Sequence, residues 1–358
     1  MKKILALILA LTMVFALTAC GQTEAPAANP GTESAGTAPT TGGKKIVLTP
    51  ASWQENGFWA KHIEIFAEYV NEHAANVSVN PVTPGSIVPT GEALQSVSDG
   101  VVPAMAIASA YAAGTIDVGY VFCTPPVVQN IQDMRELNEV YGAGKVWEDL
   151  LQSKYNVHVV GEMYGPADVP IVSTVPIKGV SDLKGVTIRV GAGSIADSLV
   201  ALGAATDNAA ATEVYTMLST KAIDAAIMGS PSDDLASSYN EVTSYWIRYP
   251  YVNTTHCTTF IVNNDTWNEM TAEDQQVLID AIEYSNKKIE EDGYATIQAA
   301  WDAVEAQGIE LIRWSEEDAR TWAQTFYDTC AAYSSSPEYT EYINILHQWA
   351  VDRGYLAE

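Results

Sequence analysis

Hydrophobic and polar positions change their period repeatedly along residues 44–358, and this pattern predicts strands and helices in alternation. Apolar residues recur every three or four positions in residues 58–73 and 271–306, as they do in amphipathic helices. Residues 100–108 and 223–228 are short and nearly all apolar, which is typical of buried strands. The alternation favours an α/β protein with mainly parallel sheets, in which ligands bind at loops beyond the carboxyl ends of the strands.

The long C-terminal helix has two notable positions. Thr271 is a suitable N-cap residue for it, and Gly293 is expected to mark a bend. The other predicted strands are residues 45–49, 77–82, 157–161, 171–175, 185–190 and 308–312, and the other predicted helices are residues 90–99, 133–151, 194–202, 213–219 and the stretch up to 356.

Residues 1–43 lack this alternation and are assigned to export and anchoring. Two lysines precede an apolar run over residues 4–17, which is shorter than a membrane span of about 20 residues. The letters LTACG at residues 17–21 then resemble the lipobox of bacterial lipoproteins. We expect residues 1–19 to be removed as a lipoprotein signal peptide and Cys20 to receive the lipid anchor. An ordinary secretory signal is the alternative.

Residues 20–43 consist mainly of small and polar residues, so they are predicted to form a disordered tether. The expected location is therefore extracytoplasmic, with the protein anchored to the outer face of the cell membrane as a lipoprotein. About 315 residues remain to fold, which is enough for two domains of ordinary size.

The charge and the cysteines limit what the folded part can do. A formal net charge of -26 repels phosphate backbones, so we expect no nucleic-acid partner. An anionic ligand would need a locally positive pocket on this protein. Beyond Cys20 the chain has Cys123, Cys257 and Cys330. An odd number excludes a fully paired framework and leaves a bridge between Cys123 and Cys257 open.

Five short motifs follow one another in order. They are EALQSVSDG at residues 92–100, SDLKGVTIRVG at 181–191, ALGA at 201–204, EVYTMLSTKAIDAA at 213–226 and WNEMTAEDQ at 267–275. In this order they resemble the extracytoplasmic solute receptors of TRAP (tripartite ATP-independent periplasmic) transporters. The resemblance extends over nearly all of the folded chain.

The resemblance implies a two-domain Venus-flytrap fold of the periplasmic-binding-protein type, with a long helix spanning both domains. Domain I would then be residues 44–168, completed by about 255–290, and domain II would be residues 169–254. Residues 291–358 would form a C-terminal helical segment that packs on both. The implied partners are a small organic-acid ligand and the small and large integral-membrane subunits of a TRAP permease.

The resemblance also implies that Arg189 pairs with the ligand carboxylate, and the residue type fits that role. A guanidinium offers a planar fork of donors to two carboxylate oxygens, and such a bond contributes about 1.5–3 kcal/mol. Of the six arginines, only Arg189 and Arg248 fall near predicted strand ends. A surface salt bridge is the alternative for Arg189, and Arg248 is left open between cleft and surface.

Five further residues are candidates for the binding site because of their positions in predicted loops. Tyr164 and Tyr111 combine an apolar ring with an orienting hydroxyl, and Ser230 follows a predicted strand end. Trp53 could form a wall of the pocket or pack in the core. Asp234 could hold a cation together with its acidic neighbour, or begin a solvated helix.

The ligand is expected to carry one carboxylate. Many of the family's members with dicarboxylate or sugar-acid ligands have a second basic residue where residues 162–168 lie, and this stretch has none. Residues 223–234 look more like the members that bind 2-oxo acids and other monocarboxylates. We therefore favour a monocarboxylate, including 2-oxo acids.

An enzyme is not expected, because no motif for one is present. The five histidines lack H-E-x-x-H spacing, and there is no G-x-S-x-G elbow, P-loop or complete G-x-G-x-x-G. No catalytic residue, cofactor or metal site is predicted. His256 and Cys257 are adjacent on a strand and point to opposite faces, so they do not form a nucleophile–base pair. The alternatives to a TRAP receptor are a lipoprotein receptor for an ATP-driven importer and a ligand sensor.

Overall fold

The computed structural model describes residues 44–53, 57–209 and 211–356. The predicted signal peptide, the predicted anchor at Cys20 and the predicted tether over residues 20–43 lie outside the described residues. The strands are β1 Ile46–Leu48, β2 Val77–Val79, β3 Ala104–Ile107, β4 Val157–Pro166, β5 Ile171–Ser173, β6 Thr187–Arg189, β7 Ala205–Asp207, β8 Ala225–Ala226, β9 Tyr245–Arg248, β10 Thr255–Asn263 and β11 Glu310–Arg313. The helices are α1 Gly57–His73, α2 Ala93–Ser98, α3 Ile131–Arg135, α4 Ala143–Lys154, α5 Ser194–Ala201, α6 Ala211–Ser219, α7 Pro231–Ala236, α8 Asn264–Asn268, α9 Ala272–Ala306, α10 Glu316–Tyr333 and α11 Pro337–Asp352.

The strands form two groups of sheets. We call the part of the chain built on β1, β2, β3, β4 and β10 lobe I, and the part built on β5 to β9 and β11 lobe II. Lobe I contains the parallel pair β1–β2 and a three-stranded sheet in the order β3-β10-β4. Strand β10 runs antiparallel to both of its neighbours. The rings of Phe66 on α1 and Phe260 on β10 lie 4.4 Å apart, which joins helix and sheet into one core.

Lobe II is built on a six-stranded sheet in the order β11-β9-β5-β8-β6-β7. Strand β6 is parallel to β7 and β8, whereas β5 is antiparallel to β8 and β9. The expectation of mainly parallel sheets is therefore wrong, and both lobes have mixed pairing. The chain crosses between the lobes twice, from β4 into β5 and from β9 back into β10. As a result, β4 runs antiparallel to β10, and β5 runs antiparallel to β9.

Helix α9 runs along both lobes. Against lobe I, Asn286 accepts a hydrogen bond from the backbone N–H of Tyr164 at 2.8 Å. Against lobe II, the Trp301 ring packs edge-on against Trp246, with their centroids 6.2 Å apart. Thr271 is its N-cap residue and accepts from the N–H of Asp274 at 3.1 Å. The helix thus ties the two lobes together from behind.

Gly293 does not interrupt the helix, because α9 is continuous from Ala272 to Ala306. The glycine serves close packing instead. A Cβ placed at Gly293 would lie 2.7 Å from Cγ of Pro166, at the end of β4, and 3.4 Å from the Phe58 ring. The absence of a side chain lets the helix approach the first crossing between the lobes.

The two crossings between the lobes are held together by one carboxylate. Asp168 lies in the first crossing, and its Oδ2 is 2.8 Å from Nη2 of Arg248 at the start of the second. The same oxygen accepts from Nε1 of Trp301 on α9 at 2.8 Å. Arg248, which the sequence left open between cleft and surface, therefore belongs to this junction.

No helix within the described ranges is both long enough and apolar enough to cross a bilayer.

Candidate ligand-binding cleft

Loops from both lobes enclose a cavity of about 730 Å³, a volume in the range of small-molecule sites. Its lobe I wall is rich in aromatic residues, and its lobe II wall is formed by loops that follow β6 and β8. The lobe I wall includes Trp53, Phe58, Trp59, Tyr111, Cys123 and His256, and the lobe II wall includes Arg189, Gly191, Met228, Ser230, Asp233, Asp234 and Tyr239.

Arg189 is the last residue of β6, and its backbone position is fixed by both neighbouring strands. It pairs with Asp207 of β7 and Ala226 of β8. Its side chain is also oriented, since Nε donates to the carbonyl of Ala209 at 2.9 Å and Nη1 lies 2.6 Å from the Met228 sulfur. Nη2 makes no hydrogen bond to the described residues. The fork therefore has free donor capacity at the cavity.

The electrostatic setting of Arg189 differs from that of most other arginines. Arg135, Arg248, Arg320 and Arg353 each have a carboxylate partner within 2.8 Å. Across residues 44–53, 57–209 and 211–356, no carboxylate lies within ion-pair distance of Arg189. Partial burial lowers the pKa of its guanidinium, but an arginine stays charged. The result is a positive charge on the cavity wall that no ion pair with a described residue neutralises.

Ser230 lines the cavity, but its hydroxyl is engaged within the protein. It is the N-cap residue of α7 and forms a capping box with Asp233. The Ser230 hydroxyl lies 2.7 Å from Oδ2 of Asp233 and 2.8 Å from the hydroxyl of Ser232. Capping of the N-terminus of α7 therefore accounts for the positions of Ser230 and Asp233.

Asp234 follows on the same helix and is almost completely buried, with 1% of its surface exposed. Oδ1 accepts from the N–H of Gly229 at 3.1 Å, while Oδ2 has no hydrogen-bond partner among the described residues. Burial raises the pKa of this carboxyl well above its usual range, and so favours the protonated form. Asp234 therefore presents an unused hydrogen-bonding atom beside the cavity.

The two aromatic candidates of lobe I also reach the cavity. The indole Nε1 of Trp53 donates to Thr258 at 3.2 Å, and its ring lies 6.0 Å from that of Trp59. Tyr111 is more open, with 54% of its surface exposed. The Trp53 ring can form an apolar wall, and Tyr111 leaves its hydroxyl available.

Tyr164 is not among the residues that line the cavity. Strand β4 does not end at residue 161 as predicted but continues to Pro166, because it pairs with β10 as far as Thr255. Tyr164 therefore lies inside the sheet and is 2% exposed. The guanidinium of Arg135 lies 5.4 Å from the centre of its ring.

Several cavity residues were not predicted. Met228 and Tyr239 follow β8, and Cys123 and His256 lie on the lobe I wall. Tyr239 could have been suspected, since it comes from the polar stretch after a predicted strand end. Met228, Cys123 and His256 carried no motif that would have distinguished them from core residues.

All three cysteines among the described residues are free and buried, so the possible bridge between Cys123 and Cys257 is not formed. Cys123 and Cys257 are nevertheless neighbours, because the N–H of Cys257 donates to the carbonyl of Cys123 at 3.1 Å.

Within the described part of the chain, no group of three or more His, Cys, Asp or Glu side chains is placed to hold a metal ion.

Comparisons with known proteins identify a matching family and several similar structures. A family model described as bacterial extracellular solute-binding protein, family 7 (DctP), matches residues 51–335. An apo, open TRAP periplasmic solute-binding protein from Rhodobacter sphaeroides is similar, with a TM-score of 0.70 and 22% identity, over 88% of this chain and 99% of that one.

Two further structures were solved with ligands. A TRAP periplasmic solute-binding protein from Pseudoalteromonas atlantica, with bound sodium and pyruvate, gives a TM-score of 0.74 at 18% identity and covers 87% of this chain and 95% of that one. One from Rhodoferax ferrireducens, with bound malonate, gives 0.72 at 15% identity and covers 87% of this chain and 99% of that one.

The fold agrees with these structures, which have a two-domain periplasmic-binding-protein fold. The family match spans most of the chain and includes the strand that carries Arg189. This chain therefore belongs to family 7 of the bacterial extracellular solute-binding proteins, the DctP family of TRAP transporter receptors.

Proposed function

We propose that this protein binds a small organic acid in the cleft through Arg189 and delivers it to the integral-membrane subunits of a TRAP permease. The observation that carries the proposal is the free positive charge of Arg189 at a cavity of about 730 Å³. An oriented guanidinium with an unused Nη2 is suited to a carboxylate, and partial removal from water strengthens that bond.

The ligand class follows from the rest of the wall. Arg189 is the only arginine or lysine among the described residues that line the cavity, which favours a single carboxylate. The buried Asp234 offers a second, polar contact to a hydroxyl or oxo group of the ligand. The aromatic wall of Trp53 and Tyr111 suits an apolar tail. A monocarboxylate, including 2-oxo acids, satisfies these features, and pyruvate is the ligand in the Pseudoalteromonas structure.

The location of the protein is part of the proposal. The lipobox at residues 17–21 supports cleavage before Cys20 and a lipid anchor at the outer face of the cell membrane. The tether over residues 20–43 would give the receptor reach to the permease. Mass spectrometry of the membrane fraction should find a lipid-modified Cys20 at the new N-terminus.

A thermal-shift screen of organic acids tests the binding site. We expect a small monocarboxylate to raise the melting temperature by several degrees when present at about 100 times its Kd, which stabilises by about 2.7 kcal/mol. Arg189→Ala should abolish this shift while the unliganded protein still folds. Arg320→Ala is the matched control, since Arg320 pairs with Glu316 on α10 and should leave the shift intact. A full shift in Arg189→Ala would refute the role of Arg189.

A further inference from the structure

The lobe I wall of the cavity contains a thiol next to an imidazole. Cys123 and His256 both line the cavity, and the His256 side chain acts electrostatically on the Cys123 thiol. The His256 ring is held between two indoles, with its centroid 5.7 Å from Trp53 and 5.1 Å from Trp59. The receptor role proposed above uses neither the thiol nor the imidazole.

A backbone hydrogen bond between β10 and the loop that carries Cys123 explains why these two residues lie close together. The N–H of Cys257 donates to the carbonyl of Cys123 at 3.1 Å, which places residue 256 alongside Cys123. Adjacent side chains on a strand point to opposite faces. Cys257 faces the core, where its sulfur lies 3.6 Å from the carbonyl of Phe122, so His256 faces the cavity.

The surroundings of Cys123 favour its thiolate. Burial alone would raise the pKa of the thiol, but the electrostatic effect of His256, together with Ser109 and the backbone N–H of Ala110, outweighs this and lowers the pKa to about 7. Neither of the other two described cysteines shares this setting. Burial raises the pKa of Cys257 well above its usual range, and that of Cys330 as well. A thiolate is the reactive form of cysteine.

The thiol faces the same space as the proposed ligand. Burial raises the pKa of Tyr111. Cys123 raises this pKa further and Arg189 lowers it, so both groups lie within electrostatic range of Tyr111. Cys123 is 4% exposed, so only small molecules that enter the cleft can reach it. A group attached to its sulfur would occupy the cavity.

We propose that Cys123 and His256 form a modification site in the cavity wall, where a small hydroperoxide oxidises Cys123 and the product obstructs ligand binding. The thiolate sulfur attacks one oxygen of hydrogen peroxide, so that an S–O bond forms and the O–O bond breaks. The sulfur loses two electrons and becomes a sulfenic acid, and the peroxide is reduced. The departing hydroxide takes a proton from solvent and leaves as water.

Peroxide treatment of the purified full-length chain, followed by dimedone and peptide mass spectrometry, tests the site. We expect the dimedone adduct on Cys123 to form at least tenfold faster than on Cys257 or Cys330. Cys20 lies on a separate peptide and is scored separately. Equal labelling of Cys123 and the two buried cysteines would overturn the proposal.

The role of His256 is tested by the rate of alkylation with iodoacetamide, a neutral reagent that does not depend on Arg189. His256→Gln should return the thiol pKa towards its ordinary value. At pH 7 the fraction of Cys123 present as thiolate then falls about 50-fold, while the nucleophilicity of that thiolate rises about eightfold. The rate of alkylation therefore falls about sixfold. At pH 10 the variant should react at least as fast as the parent. Equal rates at pH 7, or the same deficit at both pH values, would overturn the pairing.

The consequence for binding is measured separately, and it rests on the proposed function. Peroxide should abolish the acid-induced thermal shift in the parent protein, whereas the shift of Cys123→Ser should be the same before and after peroxide. Labelling of Cys123 without any acid-induced shift in untreated protein would count against the proposed ligand class and not against the thiol site. An intact shift in protein whose Cys123 is fully oxidised would overturn the obstruction.

Discussion

His62 illustrates how a single side chain couples burial to pH. It lies on the buried face of α1 with none of its surface exposed. Nε2 is 2.9 Å from the carbonyl of Tyr164 on β4, and Nδ1 is 3.2 Å from the hydroxyl of Ser285 on α9. Burial lowers the pKa of His62 from 6.5 to about 4, so the folded protein keeps the ring neutral.

This shift predicts acid sensitivity. Between pH 6.5 and about 4 the unfolded chain binds a proton at His62 and the folded protein does not, so the free energy of unfolding falls as the pH falls. The full difference in pKa corresponds to about 3 kcal/mol. His62→Gln should flatten this part of the stability profile, measured by denaturant unfolding from pH 7 to 4. His73→Gln, at an exposed position of the same helix, should leave the slope unchanged. An identical slope in the parent and His62→Gln would contradict the assignment.

The residues that the sequence could identify are those whose position follows from local pattern. Arg189 ends a strand before a glycine-containing loop, and Ser230 and Asp234 follow another strand end, so all three reach the cavity edge. Tyr164 does not, because the length of β4 depends on its pairing with the distant β10. The proximity of Cys123 and His256 depends on another long-range contact, the backbone hydrogen bond from Cys257 to Cys123, and no local pattern encodes it.

At the scale of elements, periodicity identified most helices and strands but not their interruptions. The predicted helix over residues 133–151 is divided into α3, a π-helical turn over Glu136–Val140 and α4. Gly142 separates the last two with a φ of 90°, a conformation that glycine adopts easily. Apolar residues continue through the interruption, so the pattern alone favoured one helix.

Gly293 shows the opposite case, in which a glycine lies inside a helix that does not break. Alanine is favoured over glycine in a helix by about 1 kcal/mol, so propensity alone predicts that Gly293→Ala stabilises the protein. Its Cβ would lie 2.7 Å from the Pro166 ring, and such overpacking costs about 1–3 kcal/mol. We therefore expect a net loss of stability on thermal unfolding, because the clash concerns a rigid ring.

Gly114→Ala is the control for Gly293→Ala. A Cβ at Gly114 meets no atom within 4 Å, and its φ is not in the left-handed region. We expect its melting temperature to stay close to that of the parent. A melting temperature of Gly293→Ala at or above that of the parent would show that α9 can move away from Pro166 without cost.

At the scale of the molecule, the two lobes meet through few polar contacts around the cleft. The hydroxyl of Tyr120 in lobe I donates to the carboxylate of Asp197 on α5 in lobe II. Asp233 of lobe II lies against Gly57 at the start of α1, where a Cβ would meet its carboxylate. These contacts lie at the rim, whereas Asp168, Arg248 and Trp301 join the crossings behind it. The lobes are therefore joined on both sides of the cleft, by the rim contacts on one side and by the junction around Asp168 on the other.

Asp168→Asn tests that junction. Asp168 has a φ of 42°, and asparagine tolerates this left-handed conformation, so the backbone is preserved. Arg248 and Trp301 lose a charged acceptor, and the free energy of unfolding should fall by about 1–3 kcal/mol. Small-angle scattering should also show a larger radius of gyration without ligand, because the crossings are less firmly held to α9. Glu316→Gln, which removes an exposed ion pair with Arg320, should leave both the free energy of unfolding and the scattering close to those of the parent. If Asp168→Asn behaved like this control, the lobes would be positioned by α9 packing alone, and the carboxylate would have no part in setting the opening of the cleft.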